Sequence, residues 1–261
     1  MRAIPLARRQ YIVQNAEILM FVGFISPADQ NACPYAFKTI IAPKKDGSIK
    51  MCVDYSDFKA QTKQDSFPFP RINHVGPTLS RARKFVFYHL LIGIHQVEVE
   101  PCNRVNIAIL THCGLLVYNV MPFALCNAPY TFQRFMELVL KPIIGLGVLV
   151  YIIYLLIYAE TQEQLIDLFI TVFKHRAKVG MKCKVVNCSL INQLLSYVGR
   201  VVSRNGINPD HAKLDKVKQW PRPENSTCVL FKPLQLLKNL IHFFAHISDF
   251  LYKISRFDTI E

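Results

Sequence analysis

The stretch Met121–Tyr158 limits the fold more than any other part of the chain. A helix is predicted to open near Ala128 and Pro129, because proline is tolerated in the first turn of a helix. After a break, the run VLVYIIYLLIY, which starts at Val148, is dense in β-branched and aromatic residues. Such a composition favours strands. The stretch therefore predicts a helix followed by two short strands around a tight turn.

Residues 143–159 include no charged side chain, and these 17 residues approach the length of a membrane span. Gly145 and Gly147, together with their β-branched and aromatic neighbours, favour a buried hairpin over one continuous helix. A transmembrane helix and an exposed interaction patch are the alternatives. We expect the hairpin, and hence no contact with a membrane.

The net charge of +13 and the pI near 9.4 indicate a polyanionic partner or an acidic surface. A basic surface without a partner is the alternative. Two basic groups flank an apolar middle, which suits a cleft that holds a nucleic-acid duplex by its phosphates. The first group is Lys44, Lys45, Lys50, Lys59 and Lys63, and the second is Arg200, Arg204, Lys213, Lys216, Lys218 and Arg222.

The eight cysteines form no C-x-x-C pair and no regular framework. Neither Cys183–Cys188 nor His112–Cys113 makes a closed zinc set, so we expect no metal. We expect reduced, mostly buried thiols in an intracellular protein of the cytoplasm or nucleus, although the compartment itself stays open. The basic first sixteen residues loosely resemble a transit peptide, but Glu17 interrupts the run and we predict no targeting signal.

A series of elements along the chain resembles, in order and spacing, the reverse transcriptase domain of a gypsy-type LTR retroelement polyprotein. The family pattern M-P-F-G-L-x-N-A-P-x-T-F-Q-R-x-M, followed by V-Y-x-D-D-I-L-I-Y-S, is similar to residues 121–136 and 150–159. The other matching elements are ARRQYIVQNAEILMFVGFISP (7–27), PYAFKTIIAPKKDGSIKMCVDYSDF (34–58), FPFPRI (67–72), GIHQVEV (93–99), THCG (111–114), SYVGRVVSRNGINPD (196–210) and VKQWPRP (217–223).

The resemblance implies an α+β right-hand polymerase fold, with an antiparallel palm sheet backed by helices. It places the fingers at 1–64 and 98–127 and the palm at 65–97 and 128–206. Residues 207–261 would form the start of the thumb or connection. The implied activity is RNA-directed DNA polymerisation. The implied partner is an RNA/DNA template–primer duplex, whereas protein partners are unknown.

An active member of this family requires Mg²⁺, which its three aspartates hold. In this sequence the matching positions are occupied by His89, Ile153 and Tyr154. We therefore expect no catalytic residues, no bound metal or other cofactor, and no polymerase activity. Glu98 and Glu100 lie about 30 Å along a predicted strand from the first of these positions, too far to substitute. Asp54, Asp57 and Glu160 are likewise not expected to replace the missing groups.

The resemblance also assigns positions around a nucleotide pocket and along a nucleic-acid surface. For each position, simple packing or a solvated charge is the alternative. The pocket positions are Lys44, Lys50, Ile94, Phe123, Ala124 and Gln133, and the nucleic-acid-binding positions are Lys45, Tyr197, Gly199, Arg200 and Lys218.

Catalytic and scaffold positions have both diverged; for example, LLKNLIHFFAH at 236–246 stands in place of F-L-G-L-x-x-Y-Y-R-R-F. No protease, RNase H or integrase region is recognised in the sequence. We therefore expect an eroded fragment of a retroelement polyprotein. A non-catalytic nucleic-acid-binding module and a non-functional relic are the two remaining interpretations.

Overall fold

The structure is a computed structural model of the chain, and the chain divides into two compact units. The first unit comprises Met1–Phe69, His89–Leu155 and Ile170–Asn187, and the second comprises Pro70–Tyr88, Leu156–Phe169 and Cys188–Glu261. The structure describes residues 6–29, 31–43, 49–70, 79, 82–90, 93–182, 189–192, 194–197, 200–203, 206–209 and 215.

Helices and strands alternate irregularly along the described chain. The helices are α1 (Leu6–Phe21), α2 (Ser56–Gln61), α3 (Pro101–Arg104), α4 (Ala128–Leu140) and α5 (Gln162–Lys178), with 3₁₀ turns at Gly93–Gln96 and Val105–Ile107. The strands are β1 (Ile25–Pro27), β2 (Phe37–Pro43), β3 (Ile49–Val53), β4 (Lys84–His89), β5 (Ile109–Thr111), β6 (Gly114–Tyr118), β7 (Val148–Tyr151), β8 (Tyr154–Ala159), β9 (Ser189–Asn192), β10 (Leu194–Tyr197), β11 (Arg200–Ser203) and β12 (Gly206–Pro209).

A five-stranded sheet in the first unit has the order β1-β6-β5-β2-β3. Neighbouring strands within this sheet are antiparallel, except that β2 and β5 run parallel, with Phe37 opposite Ile109. Side chains alternate between two faces of a strand, and along β2 Phe37 and Thr39 are buried while Lys38 is exposed. The buried face packs into a core that includes Tyr55. The first residues of β2 therefore follow the period-2 pattern of a half-buried strand.

The helix and hairpin predicted from the stretch after Met121 are confirmed. Helix α4 starts at Ala128 with proline in its first turn, and β7 and β8 are neighbours in a four-stranded sheet of order β7-β8-β4-β9. Residues 143–159 therefore do not form one helix. Within the described ranges, no helix is long and apolar enough to cross a membrane.

In the second unit, β10, β11 and β12 form an antiparallel three-stranded sheet. β4 pairs with β9 in the same unit, with an irregularity between Phe85 and Phe87. The element at 196–210 that resembles the family therefore includes the end of β10 and all of β11 and β12. The predicted start of the thumb lies almost wholly outside the described residues, and the division into fingers, palm and thumb stays a prediction.

Two expectations were wrong. The chain does not continue as a strand from His89 towards Glu98, because β4 ends at His89 and Gly93–Gln96 forms a 3₁₀ turn. Gly93 permits a close approach of the backbone to the hairpin turn. Glu98 forms an isolated bridge to Val120. The thiols are also not mostly buried. Of those that the structure describes, Cys102 and Cys113 are exposed in a one-turn helix and a hairpin turn, and Cys33, Cys52 and Cys126 are half-buried.

Candidate functional site

The turn between β7 and β8 joins Tyr151 to Tyr154 through two residues. Ile152, the first of the two, has a φ of 53°. A β-branched residue with a positive φ is strained, at a cost on the order of 1–3 kcal/mol, and persists only where the surroundings enforce it. The neighbourhood of this turn must therefore supply compensating interactions.

Gln133 on α4 supplies them. Its Oε1 accepts a hydrogen bond from the Ile152 N–H at 2.7 Å, and its Nε2 donates to the Val150 carbonyl at 3.2 Å. Nε2 also donates to Glu137 Oε1 at 2.8 Å, and the Gln133 side chain is fully buried. A buried amide is tolerated when its donors and acceptor are all used. The side chain of Gln133 thus stabilises the turn by hydrogen bonds from α4 and does not face solvent.

Glu137 is a carboxylate near the turn that the sequence analysis did not consider. It lies four residues after Gln133 on α4, the spacing at which helical side chains meet. It is half-buried and reaches the turn only through the Gln133 amide. The spacing of the two residues is the signal that could have identified it.

The structure brings together the three positions that match the family's aspartates. His89 ends β4 and Tyr154 begins β8, and their ring centroids lie 5.2 Å apart with planes inclined by 39°. The N–H of Leu90, next to His89, donates to the Ile153 carbonyl at 3.0 Å. An imidazole and a phenol therefore pack together beside the turn, next to a position that isoleucine occupies.

These groups do not fit a magnesium site. Mg²⁺ prefers carboxylate, phosphate and water oxygens in octahedral geometry, and isoleucine offers no ligand at all. Across the described part of the chain, no three His, Cys, Asp or Glu side chains are arranged to hold a metal ion. The other acids considered above are exposed: Asp54, Asp57, Glu98, Glu100 and Glu160. The donor set at the turn therefore disagrees with the requirement of a two-metal polymerase site.

The expected nucleotide-pocket positions have different surroundings. Lys50 is exposed on β3, opposite Ala42 of β2. Ile94 is buried in the 3₁₀ turn, and Ala124 has a φ of 76°. That left-handed conformation favours glycine, the residue that the family has there. Lys44 lies outside the described residues.

Phe123, another expected pocket position, is 51% exposed and packs its ring against His95 at a centroid distance of 4.4 Å. The imidazole also contacts the rings of Phe24 and Tyr118. Nδ1 of His95 donates to the Met121 carbonyl at 2.8 Å. Burial lowers the pKa of His95, and this hydrogen bond opposes the shift. His95 is therefore neutral at neutral pH, within an aromatic cluster.

Arg134 of α4 and Asn127, which precedes that helix, hold residues 63–67 against the helix. Arg134 forms an ion pair with Asp65 at 2.8 Å and lies 4.8 Å from the centre of the Phe67 ring. Asn127 accepts from the Asp65 N–H at 3.0 Å and donates to the Lys63 carbonyl at 2.9 Å. Asn127, Gln133 and Arg134 therefore act on the backbone and on charged neighbours of the fold itself.

Two of the expected nucleic-acid-binding positions fall on described backbone. Tyr197 ends β10 and faces Arg200 of β11 in the register of that strand pair. Gly199 lies between them, and it is outside the described residues, as are Lys45 and Lys218. The roles assigned to these five positions stay predictions.

The architecture is that of a right-hand polymerase. The chain superposes on the foamy viral protease–reverse transcriptase in complex with double-stranded DNA with a TM-score of 0.82, at 19% identity, over 96% of this chain and 44% of that one. A second structure of that viral protein, in complex with an RNA/DNA hybrid, gives a TM-score of 0.78 at 19% identity, over 99% and 35% of the two chains.

Residues 42–202 match the family described as reverse transcriptase (RNA-dependent DNA polymerase), and the chain belongs to that family. Its relatives include the retrovirus-related Pol polyprotein from transposon 297 of Drosophila melanogaster, 29% identical over 84% of this chain. The transposon Tf2-7 polyprotein of Schizosaccharomyces pombe is 26% identical over 75% of this chain. The match spans 21% of the first polyprotein and 14% of the second. The domain is thus a reverse transcriptase domain of the LTR-retrotransposon type.

Proposed function

We propose that this domain is a catalytically inactive member of the reverse transcriptase family. The observation that supports the proposal is the chemistry beside the hairpin turn, where His89, Ile153 and Tyr154 meet without a carboxylate among them. Nucleotide addition requires two divalent ions that activate the primer hydroxyl and hold the triphosphate. Neither ion has a suitable ligand set at these positions.

Primer extension tests this proposal. The purified, folded chain is incubated with a primed template, nucleotides and Mg²⁺ or Mn²⁺, beside an active reverse transcriptase as positive control. We expect no incorporation above background. Incorporation that co-purifies with the folded chain would contradict the proposal. Loss of that incorporation in Glu98→Gln, Glu100→Gln or Glu137→Gln would then identify the substitute acid.

Restoring the three aspartates together is not expected to rescue incorporation. Ile94 stands where the family has an aromatic residue, and Ser56 replaces an arginine of the family pattern. Ala124, in place of glycine, adds a methyl group at a strained backbone position. The nucleotide pocket has therefore changed along with the metal ligands.

We infer that the domain retains affinity for a nucleic-acid duplex through contacts to phosphates. The net charge of +13 supports this, as does the exposed Lys50 on β3. The similar viral structures in complex with double-stranded DNA and with an RNA/DNA hybrid support it further. Phosphate contacts carry no sequence information, so binding should not depend on sequence.

A filter-binding titration of an RNA/DNA hybrid at several salt concentrations tests the inference. Each phosphate contact contributes about −0.7 to −0.9 to the slope of log affinity against log salt. Four or five contacts would weaken binding by roughly two orders of magnitude between 50 and 200 mM salt. Lys50→Gln should reduce the affinity and make the slope shallower. Lys141→Gln, the same change at an exposed lysine after α4, should alter neither.

Undetectable binding at low salt by the folded chain would eliminate the binding function. The remaining interpretation would be a retroelement relic without a molecular function.

A further inference from the structure

Gly93 approaches the hairpin turn so closely that a side chain at its position would have to displace a neighbour. A Cβ atom built on Gly93 would lie 2.8 Å from Ile153 Cγ2 and 3.0 Å from Phe132 Cζ. Real Cβ atoms essentially never come within 3.0 Å of a non-bonded heavy atom from another part of the chain. Gly93 does not have a positive φ, so the restriction is one of space rather than of backbone conformation.

The residues around this contact form one packed group. Phe132 is fully buried on α4, and the His89 and Tyr154 rings lie against each other at 5.2 Å. The hydrogen bond from the Leu90 N–H fixes the carbonyl of Ile153 at 3.0 Å. We call His89, Gly93, Phe132, Ile153 and Tyr154 the turn cluster.

We propose that the turn cluster is a packing site on which the stability of the hairpin depends, with Ile153 as its central residue. This proposal rests on the proposed absence of catalysis, because a side chain at position 153 that binds no metal ion is free to serve in packing. An apolar side chain of suitable shape at position 153 then stabilises the turn by its close contact with Gly93. A side chain that once had to bind a cation is thereby replaced by one that fills space.

The proposal implies that a return to aspartate at position 153 alone weakens the fold. A carboxylate at this half-buried position would lie against the Gly93 backbone, partly removed from water and without a cation beside it. Removing a charge from water without a partner is unfavourable. Ile153→Asp should therefore lower the melting temperature more than Ile153→Val, which removes one methyl group and keeps the Cγ2 contact.

A double-mutant cycle tests the central contact in the full chain, with the melting temperature as readout. Gly93→Ala introduces the Cβ that would clash with Ile153 Cγ2, and it should lower the melting temperature by about 4–8 °C. Ile153→Ala removes Cγ2, so adding Gly93→Ala in that background should cost at most half as much. Ile153→Val retains Cγ2 and is the matched control, since Gly93→Ala should cost as much there as in the unmodified chain.

Equal losses from Gly93→Ala in all three backgrounds would overturn the proposal, because the contact would then not involve Ile153. If Gly93→Ala prevents folding, the single variants at position 153 decide the question. Unchanged melting temperatures in both Ile153→Ala and Ile153→Asp would overturn it as well. These readouts are independent of primer extension, so failure of the packing proposal and failure of the non-catalytic proposal are distinguishable.

Discussion

The five-stranded sheet and the hairpin turn Tyr151–Tyr154 place different demands on their side chains. In the sheet, residues such as Phe37, Ile109 and Leu116 need only to be apolar and of suitable size, and many sequences satisfy that demand. At the turn, a strained backbone needs one particular amide, from Gln133, and metal binding would need carboxylates. A fold can therefore persist through substitutions that change which chemical groups one turn presents.

The largest effect that this comparison predicts is at Gln133. Gln133→Ala should lower the free energy of unfolding by about 2–3 kcal/mol, because the Ile152 N–H and the Val150 carbonyl lose their partner while Ile152 stays strained. Denaturant titration measures the change. Gln162→Ala, at an exposed glutamine of α5, is the control and should change the free energy by less than about 0.5 kcal/mol.

A loss at Gln133 no larger than that of the control would break the comparison. It would mean that the turn is held by packing alone, in the same way as the sheet.

A smaller effect of opposite sign is expected at Ala124. Its φ of 76° suits glycine, so Ala124→Gly should raise the free energy of unfolding by about 0.5–1 kcal/mol. Ala177→Gly, in the exposed last turn of α5, should lower it by less than about 1 kcal/mol, because glycine is a poor helix former but Ala177 lies next to the helix end. Destabilisation by both substitutions in a denaturant titration would contradict the strain at position 124.

The smallest effect concerns acid pH and His95. Burial holds the folded-state pKa of His95 below its unfolded value of about 6.5. Between those two values the unfolded chain binds more protons, so stability falls as pH drops below about 6.5 and is unaffected above it. Melting curves of His95→Gln should lose part of this pH dependence. Curves of His112→Gln, at an exposed histidine, should retain it.

Much of the fold could be predicted from the sequence because its signals are local. The β-branched run after Val148 predicted the hairpin, and Pro129 marked the start of α4. The 3₁₀ turn at Gly93–Gln96 could not be predicted in the same way. It depends on a close approach to Ile153, sixty positions away in the chain, which no local pattern encodes.

Matching motifs nominated the positions of the candidate site, whereas the physical organisation of the turn could not be predicted from them. The missing aspartates followed from matching motifs, whereas the role of Gln133 did not. A signal was present: Gln133 is three residues before Met136 and seven before Leu140, so it lies on the buried face of α4. A polar residue on such a face must find buried partners, and those partners, Val150 and Ile152, lie on another element.

The central claim is that the hairpin turn keeps its geometry without a metal site, and Mn²⁺ binding tests it most directly. Electron paramagnetic resonance of a Mn²⁺ titration reports the free ion in the presence of the folded chain. We predict the same free-ion signal with and without the protein up to millimolar concentrations. A decrease in the free-ion signal that corresponds to about one bound Mn²⁺ per chain would contradict the account, if His89→Ala and Tyr154→Phe abolish that binding.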